Sequence, residues 1–268
     1  MKRVCLAIVI SFLVCLLAAP SGLCSEKKNE PLTSEELQLS DKSIIHYPAA
    51  LELFNAAKKS GIPFTADISN SDISSYVSKE KRSLNLGRLM SQASISVITR
   101  DADSLNTLAN AVEALGKTFG VSETIENKKE AITDLVKQGK WDEVGVEMVQ
   151  LETWVKDEIQ AMRNPSAVVM ANAAGMVTGL YYATKGLAIN NSNKGSSFLR
   201  QPLLTADLIA DLKTLPPSLQ TTGLVKKIMD DLEQIKPLLS VQQGENISME
   251  NIKKLEKISG ELVAEISK

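Results

Sequence analysis

The stretch AGMVTGLYYATKGL, residues 174–187, decides the fold class of this 268-residue chain. It lies in a run from Pro165 to Thr184 that carries no charged residue. Within this run small side chains recur at every fourth position, at Ala167, Ala171, Gly175, Gly179 and Ala183. This spacing places them in one row along an α-helix, where a second helix can approach closely.

A row of small residues is typical of two structures, paired membrane-spanning helices and tight helix crossings in soluble bundles. Asn172 lies in the middle of the run, and Leu, Ile and Phe are scarce in it. The flanking Arg163 and Lys185 are weak anchors for membrane insertion. These features favour a buried helix of a bundle, with no membrane span in the mature chain.

A second row of small residues, Ser83, Gly87 and Ser91, predicts the partner of this helix. It lies in a long segment of helical apolar spacing, residues 72–99. Glycine inside a helix costs about 1 kcal/mol relative to alanine, so glycines on two facing ridges need a packing reason. We therefore expect the two helices to cross at close range.

Apolar residues recur at helical spacing along most of the chain from Pro48 onward, and no segment alternates like a convincing strand. Asp103 or Ser104 is expected to cap the helix that follows it. In residues 141–163 the apolar positions form one stripe, which includes Met162. The fold class is therefore all-α, a helical bundle with a tight small-residue helix crossing, plus C-terminal helices.

Domain organisation follows from the loop signals. Residues 44–189 are expected to form the core bundle, and the polar residues 190–197 (NNSNKGSS) a linker. Residues 198–268 supply the C-terminal helices. The pattern leaves open whether these helices pack on the bundle or are tethered to it.

Residues 1–24 have the layout of a secretory signal peptide, because Lys2 and Arg3 precede an apolar run that is too short to span a membrane. Residues 25–43 are polar and are expected to form a flexible tether. We therefore expect an exported protein, periplasmic or secreted. The alternative is a membrane-tethered lipoprotein acylated at Cys24, although Leu23 is a poor fit for the position before a lipid-modified cysteine.

The mature chain carries no signature of catalysis, metal binding or a cofactor. All three cysteines lie within residues 1–24, and His46 is the sole histidine of the sequence. His46 lacks the neighbours that a metal site or a catalytic triad needs. The glycines form no phosphate-binding loop. The formal net charge of −2 and the absence of a basic stripe argue against nucleic-acid binding.

Four polar residues near the expected crossing are candidates for binding a ligand, namely Asn85, Arg88, Asn172 and Tyr181. An alternative for Arg88 is an ion pair with a surface acid. Tyr181 and Tyr182 point about 100° apart on a helix, so at most one of them enters a shared cavity. Three carboxylates are expected to be solvated, those of Glu147, Glu152 and Glu158. Four methionines are candidates to line an apolar pocket, Met90, Met162, Met170 and Met176.

Several short motifs resemble a family of uncharacterised, exported or lipid-anchored all-helical bacterial proteins, best known from Bacteroidetes genomes. The motifs are Tyr47-Pro48, Ile62-Pro63-Phe64, Ser83-Leu84-Asn85-Leu86-Gly87 and Gly179-Leu180-Tyr181-Tyr182-Ala183-Thr184. The family continues its first long motif with an acidic residue and a tyrosine, where this chain has Arg88 and Leu89. It also has a glutamate where this chain has Thr178. The resemblance covers residues 44–186 and implies a fold and an export route, because the family has no established activity.

The absence of chemical motifs beside an ample core signal favours a non-catalytic exported protein, an interaction or structural module of the cell envelope with an unknown protein partner. The alternative is a carrier that holds an apolar small molecule or lipid in a pocket between helices. An enzyme is a second alternative. A cavity between the helices of residues 72–99 and 165–187 would distinguish the carrier from the other two.

Overall fold

Helices form the regular secondary structure in the computed structural model, which describes residues 47–65 and 76–268. These residues form ten α-helices and one 3-10 turn, and no strand occurs among them. The expected signal peptide, the tether, Cys24 and His46 lie outside the described residues. The helices are α1 (Ala50–Lys59), α2 (Lys79–Thr99), α3 (Ala102–Lys117), α4 (Ser122–Lys137), α5 (Trp141–Ala161), α6 (Pro165–Ile189), α7 (Pro202–Leu212), α8 (Pro217–Gln220), α9 (Gly223–Leu238) and α10 (Met249–Ile266), with the 3-10 turn at Ser196–Leu199.

Helices α2 and α6 cross at close range, as the two small rows predict. A Cβ atom placed on Gly87 would lie 1.9 Å from the carbonyl oxygen of Ala171, so the backbones are in direct contact. The hydroxyl of Ser91 donates a hydrogen bond to the carbonyl oxygen of Gly175 at 3.0 Å. Gly179 has a different partner, because its missing Cβ would meet the ring of Phe54 in α1.

Helix α6 belongs to two hydrophobic clusters at once. One joins it to the C-terminal helices through residues such as Val177 and Leu187. The other joins it to α1–α5 through residues such as Val168 and Tyr182. A helix that is apolar on all sides is expected at the centre of a fold, and α6 occupies that place. Within the described part of the chain, no helix has the length and hydropathy to span a membrane.

The C-terminal helices pack on the bundle through named contacts. A Cβ on Gly260 of α10 would lie 2.9 Å from the ring of Tyr181 in α6. The Asn85 amide in α2 donates a hydrogen bond to the carbonyl oxygen of Ile266, at the end of α10, at 2.7 Å. In the segment expected as a linker, Asn193 donates to the carbonyl oxygen of Ile247 and Ser196 accepts from its backbone amide. These bonds attach residues 193–196 to the segment just before α10.

Two helix ends differ from the sequence expectation. The N-cap of α3 is Asp101, not Asp103 or Ser104, because the Asp101 carboxylate accepts from the backbone amide and the hydroxyl of Ser104. Helix α5 ends at Ala161, and Arg163 takes a left-handed conformation with φ of 58°. Met162 therefore leaves the apolar stripe and is 51% exposed.

Candidate ligand cavity

An apolar cavity of about 120 Å³ lies between α1, α2, α5, α6 and α7. The faces of α2 and α6 that meet in the close crossing also line it, so it occupies the place where a carrier would need one. Its apolar wall includes Leu53, Phe54, Leu86, Met90, Val155, Ile159, Val168, Met176, Leu180, Leu204 and Leu208. Six polar residues also reach it, Tyr47, Ser91, Glu152, Lys156, Asn172 and Gln201.

The small row on α6 lines one side of this cavity. Gly87 of α2 covers Ala171 and Phe54 of α1 covers Gly179, two positions that lie about 12 Å apart along the helix. Gly175 lies midway between them and is also covered by α2, because a Cβ there would lie 3.2 Å from the Ser91 hydroxyl oxygen and 3.5 Å from the Gly87 carbonyl oxygen. The residues of the close crossing also line the cavity beside it.

Glu152 of α5 is buried at this cavity, with 7% of its surface exposed. One carboxylate oxygen accepts from the backbone amide of Ala50, the first residue of α1, at 2.9 Å. The other forms an ion pair with Lys156 at 2.5 Å. The expectation that Glu152 is solvated was therefore wrong. A signal was available, because Glu152 follows Met148 by four residues and so shares the face of the apolar stripe.

Asn172 has a buried polar atom with unmet hydrogen-bonding capacity. Its side-chain oxygen Oδ1 is buried and has no hydrogen-bond partner among the residues that the structure describes. Leaving a buried acceptor unsatisfied costs about 1–3 kcal/mol, so such atoms are rare in folded proteins. Asn172 is the one of the four candidate ligand residues that lines the cavity.

Tyr47 and Asp211 connect the start of the described chain to α7 at the cavity. The Tyr47 hydroxyl donates a hydrogen bond to the Asp211 carboxylate at 2.8 Å. Burial raises the pKa of Tyr47, and the hydrogen bond to Asp211 raises it further. Burial also raises the pKa of Asp211 above its ordinary value. Tyr47 therefore stays a protonated donor, and its hydroxyl is committed to Asp211.

Arg88 and Asn85 lie away from the cavity, on another face of α2. The Arg88 guanidinium is fully buried and donates to Asn85 Oδ1 at 2.8 Å, Gln92 Oε1 at 2.8 Å and the Tyr76 hydroxyl at 3.0 Å. Gln92 in turn donates to the hydroxyl of Tyr182. Within residues 47–65 and 76–268, Arg88 has no carboxylate partner, and burial lowers its pKa. The surface acid expected for Arg88 is thus replaced by an internal network of neutral groups.

Tyr181 and Tyr182 differ in burial, because adjacent residues of a helix point about 100° apart. Tyr182 is buried, with 2% of its surface exposed, while Tyr181 is half-buried against Gly260 of α10. Tyr181 is not part of the cavity wall. Of the four candidate methionines, Met90 and Met176 line the cavity, Met170 is buried in the cluster shared with the C-terminal helices, and Met162 is exposed.

A second depression of about 480 Å³ lies between α1, the end of α2 and the start of α5. Its wall carries charges of both signs, including Glu52, Lys58, Arg100 and Asp142, and these four side chains are exposed. Solvated charges of mixed sign define no particular ligand. The described residues also contain no group of three or more His, Cys, Asp or Glu side chains that could hold a metal ion.

Comparison with protein-family models, curated proteins and solved structures gives no match to this chain. The structural class of this protein is therefore described from its fold and its cavity alone. The described residues form an all-α bundle with an apolar cavity beside a glycine-mediated helix crossing.

Proposed function

We propose that this protein binds a small or slender apolar molecule in the cavity between α1, α2, α5, α6 and α7. The observation that supports this function most is the cavity itself, because packed protein interiors contain few voids larger than a water molecule. A dry apolar cavity of about 150 Å³ suffices to bind benzene. The cavity here is somewhat smaller, at about 120 Å³, but it is partly open to solvent, so a small ring or a short run of methylene groups can enter it without being wholly enclosed.

The wall supports binding more than catalysis. The carboxylate of Glu152 is occupied by Ala50 and Lys156, and the hydroxyl of Tyr47 by Asp211. These contacts join the wall of the cavity to α1 and α7, so we assign both groups to the structure of the site. The proposed role is therefore non-catalytic binding.

The N-terminal sequence supports export as part of the same proposal, in which the ligand is carried outside the cytoplasm. The family resemblance across residues 44–186 points to the same export route. The envelope interaction or structural role that the sequence favoured remains a prediction. The cavity is a specific structural observation that favours the carrier function over this role.

Native mass spectrometry of the full protein, purified from its native host without detergent, tests whether a ligand is retained. The expected result is an added small-molecule mass that is lost on unfolding. A mass that survives unfolding would instead indicate acylation at Cys24.

Thermal unfolding with added toluene then tests the cavity directly. Toluene should raise the melting temperature of the wild-type protein and leave that of Leu204→Trp unchanged, because the larger ring fills the space that Leu204 lines. The matched control is Leu203→Trp, at a neighbouring position that is 77% exposed, which should respond like the wild type. An equal response of all three proteins, or no response of the wild type, would refute the proposed function.

A further inference from the structure

The apolar wall of the cavity is long compared with the space that it encloses. Along α6 the wall runs from Val168 to Ala183, a rise of about 22 Å. A dry cavity of about 150 Å³ holds one benzene ring, so the volume of about 120 Å³ found here fills only part of that length. Side chains of the protein take up the remaining length.

Phe54 of α1 lies across this wall. Its ring carbon Cε1 is 2.5 Å from the position that a Cβ on Gly179 would occupy, so the ring rests on the bare backbone of α6. Residues of α6 line the cavity on both sides of this contact, with Met176 before it and Ala183 after it. The ring therefore narrows the space partway along α6.

The ring of Phe54 is held in place from two sides. Gly179 lies against one side of it, and the ring of Phe64 packs against it with the two centroids 5.5 Å apart and a tilt of 50°. Aromatic pairs at this distance attract each other beyond the area that they bury. Phe54 is also buried, with 6% of its surface exposed. A ring held in this way sets a fixed limit to the space.

The wall beyond the ring is apolar and carries small side chains. Helices α1 and α6 run in the same direction there, because Phe54 contacts Gly179 and the later Pro63 contacts Gly186. One turn past the ring, Ala57 of α1 and Ala183 of α6 both line the cavity. A smaller residue in place of Phe54 would therefore open more space along α6.

A narrow space beside a long apolar wall suits a single chain better than a branched or fused-ring molecule. We infer, on the basis of the proposed binding function, that the ligand is an unbranched hydrocarbon chain and that Phe54 sets the length of chain that the cavity accepts. Phe54 is then the residue that determines specificity among apolar chains.

Primary alcohols from 1-butanol to 1-decanol test this limit, because they grow by one methylene at a time and their hydroxyl can remain in solvent at the open side of the cavity. Each buried methylene should tighten binding about fourfold. In calorimetric titrations of the full wild-type protein the gain should stop near 1-hexanol, because benzene with its six carbons already needs about 150 Å³. The branched isomer of 1-pentanol, 2,2-dimethyl-1-propanol, should bind more weakly than 1-pentanol.

The variant Phe54→Leu should carry the gain on by about one methylene and Phe54→Ala by about two or three, because the side chain that they remove leaves space. Phe119→Leu is the matched control, since it makes the same change at a half-buried ring outside the cavity wall, and it should keep the wild-type limit. Circular dichroism checks the fold of each variant. Should Phe54→Ala not fold, Phe54→Leu and Phe119→Leu decide the matter by themselves.

The outcomes separate the length limit from the binding function. An equal limit in the wild type and Phe54→Leu, with toluene still stabilising the protein, would overturn the role of Phe54 and leave the binding function standing. A gain that continues to 1-decanol in the wild type would overturn it too, and equal binding of the branched isomer would overturn the unbranched chain. Failure of toluene and of every alcohol to bind would remove the binding function, and the length limit with it.

Discussion

Gly87 of α2 lies directly against the backbone of Ala171 in α6, with room for no side-chain carbon between them. A Cβ on Gly87 would come within 1.9 Å of the Ala171 carbonyl oxygen, far inside van der Waals contact. Backbone cannot move aside as a flexible side chain can, so Gly87 sets how closely the two helices approach.

The substitution Gly87→Ala should therefore lower the free energy of unfolding by at least about 3 kcal/mol, at the upper end of the cost of overpacking. Gly145→Ala is the matched control, because a Cβ there would meet only Leu51, at an ordinary 3.4 Å. The control should be neutral or stabilising by up to about 1 kcal/mol through helix propensity. Urea unfolding of the two variants measures the contrast, and equal effects would contradict the close crossing.

Asn85→Ala should loosen the attachment of α10 to the bundle, because the Asn85 amide is the donor to the Ile266 carbonyl oxygen. The expected loss is about 1–3 kcal/mol for buried groups left without their bonds. Hydrogen exchange should become faster for the amides of α10. Asn110→Ala, at an exposed position in the middle of α3, is the control and should not weaken the protein. Unchanged exchange in α10 would show that the bond does not hold the helix.

Tyr76→Phe tests the network around the buried guanidinium. It removes the hydroxyl that accepts from Arg88, and hydrogen bonds to charged groups contribute about 1.5–3 kcal/mol. In the Arg88→Met background the same substitution should cost almost nothing, which a double-mutant cycle measures. The cost should not vary between pH 5 and 9, because the guanidinium stays charged. Additive effects of the two substitutions would disprove the coupling.

Glu113→Gln should change how the free energy of unfolding depends on pH. The hydrogen bond from Lys117, followed by that from Lys129, lowers the pKa of the Glu113 carboxylate to about 2 from the ordinary 4.5. A lowered pKa contributes stability above pH 4.5, and this stability is lost as the pH falls from about 5 toward 2. Glu113 and its two lysines lie near the surface, so their ion pairs should contribute about 1 kcal/mol or less to the free energy of unfolding.

Chemical unfolding at several pH values measures this effect. Glu113→Gln should be less stable than the wild type at pH 7 and equally stable near pH 2. Glu143→Gln is the control, because that side chain is 58% exposed and its ion pair with Lys140 is longer, at 3.5 Å. A constant difference between wild type and Glu113→Gln over the whole range would contradict the assignment.

The sequence by itself determined the all-α class and the crossing of α2 with α6. Both follow from periodicity, because the spacing of apolar and small residues along a chain sets which of them share a helix face. The division of Tyr181 and Tyr182 between half-buried and buried surroundings follows from the same rule. The class and the tyrosines need no knowledge of which helix lies opposite, and the crossing was predicted because α2 carries a matching row of small residues.

Only the tertiary structure decided the surroundings of Arg88, Glu152 and Gly179. Arg88 is buried because Tyr76, Gln92 and Asn85 all accept hydrogen bonds from its guanidinium. Glu152 is buried because its carboxylate accepts from the backbone amide at the N-terminus of α1. Gly179 faces Phe54 and not α2. The physical reason is common to all three. Burial and hydrogen bonding depend on groups far apart in the sequence, and periodicity assigns a residue to a face without naming what covers it.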